Sequence, residues 1–281
     1  MKCKQGRTAD PSDFALSAFT LVELLAILVI ISMVVLMCLP AQAKVRQRVQ
    51  QSSCFNNFRQ LQLSWLVYNN SSGDRLVPNS ASGTGFSRAA VWADPQAWVQ
   101  GNAYIDLNTT NIESGALYPY SHSTAIYKCP ADGSTVRDQG LVPRSRSVSM
   151  SLYMNSAPVS TQGFYPYCWH ALSQVAAPSK ATVFLDEHEN SISTGCFYLN
   201  HPNSFRCFGF PLWTWANFPA TRHNNGCTLS FADGHVETWH WKEPNTLAIS
   251  ARSPWLYGSP AVTNDRDLQR LFGALPDHVP F

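Results

Sequence analysis

The chain has 281 residues, long enough for an anchor segment and one sizeable domain. Only 14% of residues are charged and the net charge is +2, so no polyelectrolyte partner is implied. Nucleic-acid binding lacks a basic stripe to support it. Nine Trp, 15 Gly and 18 Pro suit a loop-rich β domain with exposed ring surface.

Residues 1–18 are polar, with Lys2, Lys4 and Arg7 against two acidic residues, and read as a leader to be set aside from the fold. Phe19 to Leu39 follows as an apolar run with a single charge, Glu23. A helix of this length spans ~30 Å, the thickness of a bilayer's hydrocarbon core, which predicts a membrane-spanning segment. A signal peptide fits badly, because its apolar region is shorter and a small-residue cleavage site should follow it. Here the small residue, Ala18, precedes the run. Basic residues flank it on both sides (Lys44, Arg46, Arg48 and Arg59 follow), so charge counting does not orient it.

Ala18 followed by Phe19-Thr20-Leu21-Val22-Glu23 and an apolar run resembles the N-terminal cleavage and methylation segment of type IV pilins and pseudopilins. The family carries Gly where this chain has Ala18. The resemblance implies a bacterial prepilin, cut by a prepilin peptidase between Ala18 and Phe19 and N-methylated on Phe19. It also implies that Glu23, then the fifth residue, pairs with the new amine of a neighbouring subunit. A carboxylate in an apolar helix usually marks a function. The plainer alternative is a single-pass anchor that tolerates Glu23.

Pro40 should kink the helix without ending it. Val45, Val49, Phe55, Phe58, Leu61, Leu63, Trp65, Leu66 and Tyr68 continue an amphipathic stripe, and residues 69–74 end it. A helix from Phe19 to about Tyr68 would be ~75 Å long, with its second half, 40–70, lying across a sheet. Residues 75–130 are loop-rich. Arg146 to Tyr153 reads as a strand, Ala181 to Leu185 as a short buried strand, and Asp186-Glu187-His188-Glu189 as an acidic burst at its end. Near the C-terminus, His223 is followed after nine residues by Asp233-Gly234. Asp-Gly between alternating runs predicts a two-residue hairpin pairing Phe231 with Val236 and Leu229 with Thr238. Ser230, His235 and Glu237 would form the polar face of a half-buried antiparallel sheet. Asn225-Gly226 is a second turn signal, and residues 258–281 look like a mobile tail with a short helix.

The segments around Trp98 and Cys129, together with His223, Asp233 and Gly234, resemble a pilin-like bacterial family with a C-terminal H-X9-DG domain. The fold class expected is therefore α+β. A long N-terminal helix, transmembrane in its first half, packs on a C-terminal antiparallel β-sheet domain with long loops, 71–257.

Chemistry is harder to find. Asp186, Glu187 and His223 are the residues from which a metal site would be built, but no zinc or calcium spacing is present. Neighbouring strand residues point to opposite faces, so the acidic burst reads better as a solvated strand end. His223 and Asp233 should lie at opposite ends of one strand, ~20 Å apart, so they form no pair. His223 reads as a packed or capping residue, bonded to a carboxylate such as Asp186. No nucleophile elbow, P-loop or dinucleotide fingerprint exists. No cofactor is implied, a structural metal ion being left open, and no enzyme is expected; a hydrolase using Asp186 and His223 is the weakest reading. Without Cys3 and Cys38, six cysteines remain, which in an exported domain permit three disulfides in fifteen connectivities, or buried thiols. The resemblance to pilin-like proteins makes Cys54 and Cys129 the preferred pair.

By resemblance the chain is a pilin-like or pseudopilin subunit of a type II secretion or type IV pilus-like system. Its partners would be prepilin peptidase, other pilin-like subunits and the membrane, with no nucleic acid. It would sit as a single-pass inner-membrane protein, N-terminus cytoplasmic and C-terminal domain periplasmic or extracytoplasmic. The alternative is a membrane-anchored carbohydrate-binding module that does not polymerise. It would stack polysaccharide on Trp213, Trp215, Trp239 and Trp241.

Overall fold

The longest element begins with a local device. The Thr20 hydroxyl accepts from the Glu23 backbone N–H at 3.3 Å, and Glu23 Oε2 accepts from the Thr20 N–H at 2.9 Å. This reciprocal arrangement is a capping box, which satisfies two backbone donors left free at a helix start. Helix α1 then runs Leu21–Ser71. The computed structural model describes residues 19–79, 94–155, 168–197, 199–200, 214–250 and 264–275. It divides into two units, Met1–Arg46 and Gln47–Phe281.

In the first unit every side chain from Leu21 to Leu36 is exposed, Leu21 by 80% and Val22 by 74%. The expected transmembrane first half is overturned, and with it the single-pass inner-membrane location. Among the described residues no helix is long and apolar enough to cross a membrane. Glu23 sits near the start of the apolar stretch of α1, and a charge in lipid is costly.

In the second unit α1 buries Cys54, Phe58, Leu61 and Trp65, spaced by four, three and four residues. The stripe therefore differs from the one expected: Val45, Val49 and Leu63 are exposed, and Cys54 takes a place on the buried face. Gly73 (φ 66°) and Asp74 (φ 71°) turn the chain after the helix. Two short helices follow, α2 (Thr110–Glu113) and α3 (Tyr118–Ser121).

The sheet is built from β1 (Val148–Ser151), β2 (Thr182–Asp186), β3 (Cys196–Phe197), β6 (Gly226–Phe231) and β7 (Val236–His240), in the order β3-β1-β2-β6-β7. It is mixed, not purely antiparallel, because β3 runs parallel to β1. A separate pair joins β4 (Leu199–Asn200) to β5 (Thr214–Trp215). One apolar cluster joins Phe58, Leu61 and Trp65 of α1 to Trp98, Tyr127, Met150 and Phe184. A second gathers Leu185, Leu229, Phe231, Trp215, Trp239 and Trp241. Helices α4 (Pro244–Ser250) and α5 (Arg266–Phe272) are the last elements among the described residues.

Three local expectations need correction. The hairpin register is shifted by one, with Leu229 opposite Glu237 and Ser230 opposite Val236. The cause is a three-residue connection. Gly234 N–H donates to the Phe231 carbonyl, Phe231 N–H donates to the His235 carbonyl, and Gly234 takes φ 100°. Such loops end in a residue at positive φ, here Gly234 and not Asp233. Secondly, β6 is buried on both faces: its polar Ser230 is fully covered and donates to Gln62 Oε1 on α1 at 2.8 Å. Polarity along β6 therefore marks the helix-facing side and not solvent. Thirdly, part of the expected tail is core. Asp265 caps α5 by accepting from the Leu268 N–H at 2.9 Å, and Leu268, Leu271 and Phe272 are buried.

Gly226 opens β6 where there is no room for a side chain: a Cβ there would stand 2.2 Å from the Trp239 carbonyl oxygen of β7. Gly226→Ala is expected to cost about 1–3 kcal/mol by forcing the two strands apart. Urea unfolding of the variant beside wild type measures it, and an unchanged midpoint would contradict the close approach.

Candidate metal centre

Four segments distant in sequence bring one side chain each to a single buried point. Cys54 comes from the buried face of α1. Cys129 comes from the loop after the 3-10 turn Ala125–Tyr127. Asp186 is the last residue of β2. His223 immediately precedes the tight turn into β6, where Asn224 (φ 52°) and Asn225 (φ 59°) both take the left-handed conformation. All four are buried, and one ligand atom from each lies within 4.8 Å of all the others. Cys129 Sγ stands 3.1 Å from His223 Nε2.

The surroundings hold this geometry. Ser147 sits between two of the four: its hydroxyl accepts from the Cys129 N–H at 2.9 Å and donates to Asp186 Oδ1 at 2.8 Å. Arg222 donates to the same Asp186 oxygen at 2.8 Å and to Glu189 Oε2 at 2.9 Å, and lies 3.5 Å from Asp132. Asp186 Oδ2 is buried with no hydrogen-bond partner.

Burial works against the Arg222 charge, but Asp186, Asp132 and Glu189 more than restore it, and its pKa is raised. The hydrogen bond with Cys54 and burial hold the Cys129 thiol well above the usual range. For His223, burial is outweighed by Cys129, which leaves the imidazole raised. A site of two thiols, one imidazole and one carboxylate can take up a borderline-soft cation by losing protons, or join its two sulfurs under oxidation.

The expected site residues are thus partly reunited. Cys54 and Cys129 do meet, but as free thiols beside His223 and Asp186 and not as a bonded pair. His223 and Asp186 share one cluster. The acidic burst is not a solvated strand end, since Asp186 and Glu187 are both fully buried. Glu187 faces a different environment from Asp186, accepting from Ser191 and Asn217, and burial pushes it up to about 7. It does not join the four. Asp233 and Gly234 belong to the turn at the far end of β6. Phe19 and Glu23 lie in the first unit, and Ala18 lies outside the described residues.

Sequence reasoning missed Ser147 and Arg222. The available signal was a basic residue directly before His223 and a hydroxyl at the start of the expected Arg146 to Tyr153 strand; neither has motif spacing. The rings proposed for polysaccharide stacking are also placed: Trp215, Trp239 and Trp241 are each at most 5% exposed, and Trp213 is outside the described residues. No protein-family model, curated protein or solved structure matches the chain.

Proposed function

We propose that the protein is a pilin-like or pseudopilin subunit that assembles with like subunits through the first part of α1. In this reading a prepilin peptidase removes residues 1–18, Phe19 is N-methylated, and the subunit enters a type II secretion or type IV pilus-like assembly. The observation that carries it is the exposure of every described side chain from Leu21 to Leu36. An apolar surface of that extent needs a cover. The occupant the reading commits to is the same helix of neighbouring subunits, because the segment opens with the pilin-like Phe-Thr-Leu-Val-Glu.

Glu23 has two roles to separate. Its hydrogen bonds with Thr20 lower its pKa, so it is a carboxylate as well as a helix cap. Glu23→Gln keeps the capping box, since Gln serves at that position, but removes the charge. Glu23→Ala removes both. Cross-linking of cells expressing each variant should show both failing to co-assemble, with the folded domain intact. Assembly by the Gln variant at the wild-type level would reduce Glu23 to a cap. Mass spectrometry of the mature chain should find methylated Phe19 at its start, and an intact leader would refute the processing.

A further inference from the structure

We propose that Cys54, Cys129, Asp186 and His223 together bind one Zn2+ ion as a closed, four-coordinate structural site that pins α1 to the sheet. The donor set is the first ground. Two thiolates, an imidazole and a carboxylate are the ligand types of tetrahedral zinc, and the two sulfurs disfavour the hard cations Mg2+ and Ca2+. Geometry is the second. Zn–S and Zn–N distances of about 2.3 and 2.0 Å place tetrahedral ligand atoms about 3.3–3.8 Å apart. The four atoms already lie within 4.8 Å of one another, so closing on an ion takes shifts of about an ångström.

The third ground is an unsatisfied buried atom. Asp186 is fully buried, Ser147 and Arg222 both occupy its Oδ1, and its Oδ2 has no hydrogen-bond partner. A buried carboxylate oxygen without a donor is costly unless something else supplies positive charge. Zinc does so. Ser147 then acts as a positioning residue, fixing the Asp186 carboxylate through one oxygen and the Cys129 backbone through the other hydrogen bond. Zinc sites commonly rely on such outer partners to orient their ligands.

Charge and protons balance. Zn2+ entering between two thiols displaces their two protons to solvent and leaves two Zn–S bonds. Two thiolates and one carboxylate around Zn2+ carry a net charge of −1, and the Arg222 guanidinium beside Asp186 offsets it. All four positions of the tetrahedron are filled by protein and buried, which leaves none for water or substrate and makes the site structural.

The full chain purified under reducing conditions without added chelator tests this. Plasma mass spectrometry should find about one zinc per chain. After chelation, Co2+ should restore one equivalent with the visible bands of tetrahedral cobalt and a thiolate charge-transfer band. Cys129→Ser and Asp186→Asn should lose zinc, while Cys168→Ser, outside the cluster, keeps it. Ser147→Ala, which removes no ligand, should weaken binding by about 10–100-fold. Wild-type chain that neither carries zinc nor gives the cobalt spectrum overturns the proposal. So does a Cys54–Cys129 disulfide in a non-reduced peptide map of protein from cells, or a folded Cys129→Ser variant that retains a full equivalent of zinc.

Discussion

Replacing Arg222 with methionine is expected to destabilise the folded domain by about 3–5 kcal/mol. The side chain of Arg222 is 9% exposed, and it serves Asp186 and Asp132, whose side chains are 0% and 2% exposed. Methionine has a similar shape and keeps the packing, so the loss is that of a cation facing two buried carboxylates. An unpaired buried charge costs far more than a surface pair gains, which is why breaking such a group from one side is severe. The third partner, Glu189, is partly exposed and contributes less. With zinc removed from all the proteins compared, Asp186→Asn in the same background removes one of the stranded charges and should recover part of the loss, because contacting residues couple. Chemical unfolding of wild type, the two single variants and the double variant measures this. Additive effects would show that Arg222 and Asp186 do not act as a pair.

Trp98→Ala is expected to cost a comparable amount, about 3–5 kcal/mol. The indole is fully buried, 5.1 Å from the Phe184 ring and 5.8 Å from the Tyr127 ring between centroids. Its Nε1 donates to Asn79 Oδ1 and to the Gly195 carbonyl, both at 3.2 Å. Alanine leaves a cavity that Tyr127, Phe184 and the sheet cannot collapse into. Phenylalanine keeps most of the ring but removes the donor. Trp65 supplies the control: it is equally buried, yet its Nε1 has no partner. Trp65→Phe should therefore cost less than Trp98→Phe, since it discards an unsatisfied donor where the other discards a bonded one. Equal losses from the two phenylalanine variants would show that ring volume, not hydrogen bonding, sets the stability at Trp98.

The start of α1 shows how far local chemistry is legible. Thr20 and Glu23 are three residues apart, and a capping box needs nothing beyond that spacing. The Asp233-Gly234 turn was legible in position but not in length. Whether the chain closes in two or three residues is decided by which residue takes positive φ, and Gly234 does. Slipping that turn by one residue moved the whole β7 register. The half-buried sheet was misjudged for a related reason. Ser230 looks solvent-facing in sequence, but Gln62 of α1, 168 residues away, supplies its partner.

By itself, the sequence determined the apolar run from Phe19, the helix that follows it, the strands near 148, 182 and 226, and the C-terminal hairpin. These depend on periodicity and turn residues within a few positions. Only the tertiary structure decided the metal centre. Its ligands come from α1, a loop, the end of β2 and the turn before β6, and no spacing between them repeats a metal-binding pattern. Packing α1 on the sheet places Cys54 over the end of β2, and the alternation of strand residues turns Asp186 toward it and Glu187 away. Burial then makes the difference between an acidic strand end in water and a carboxylate that must find a cation.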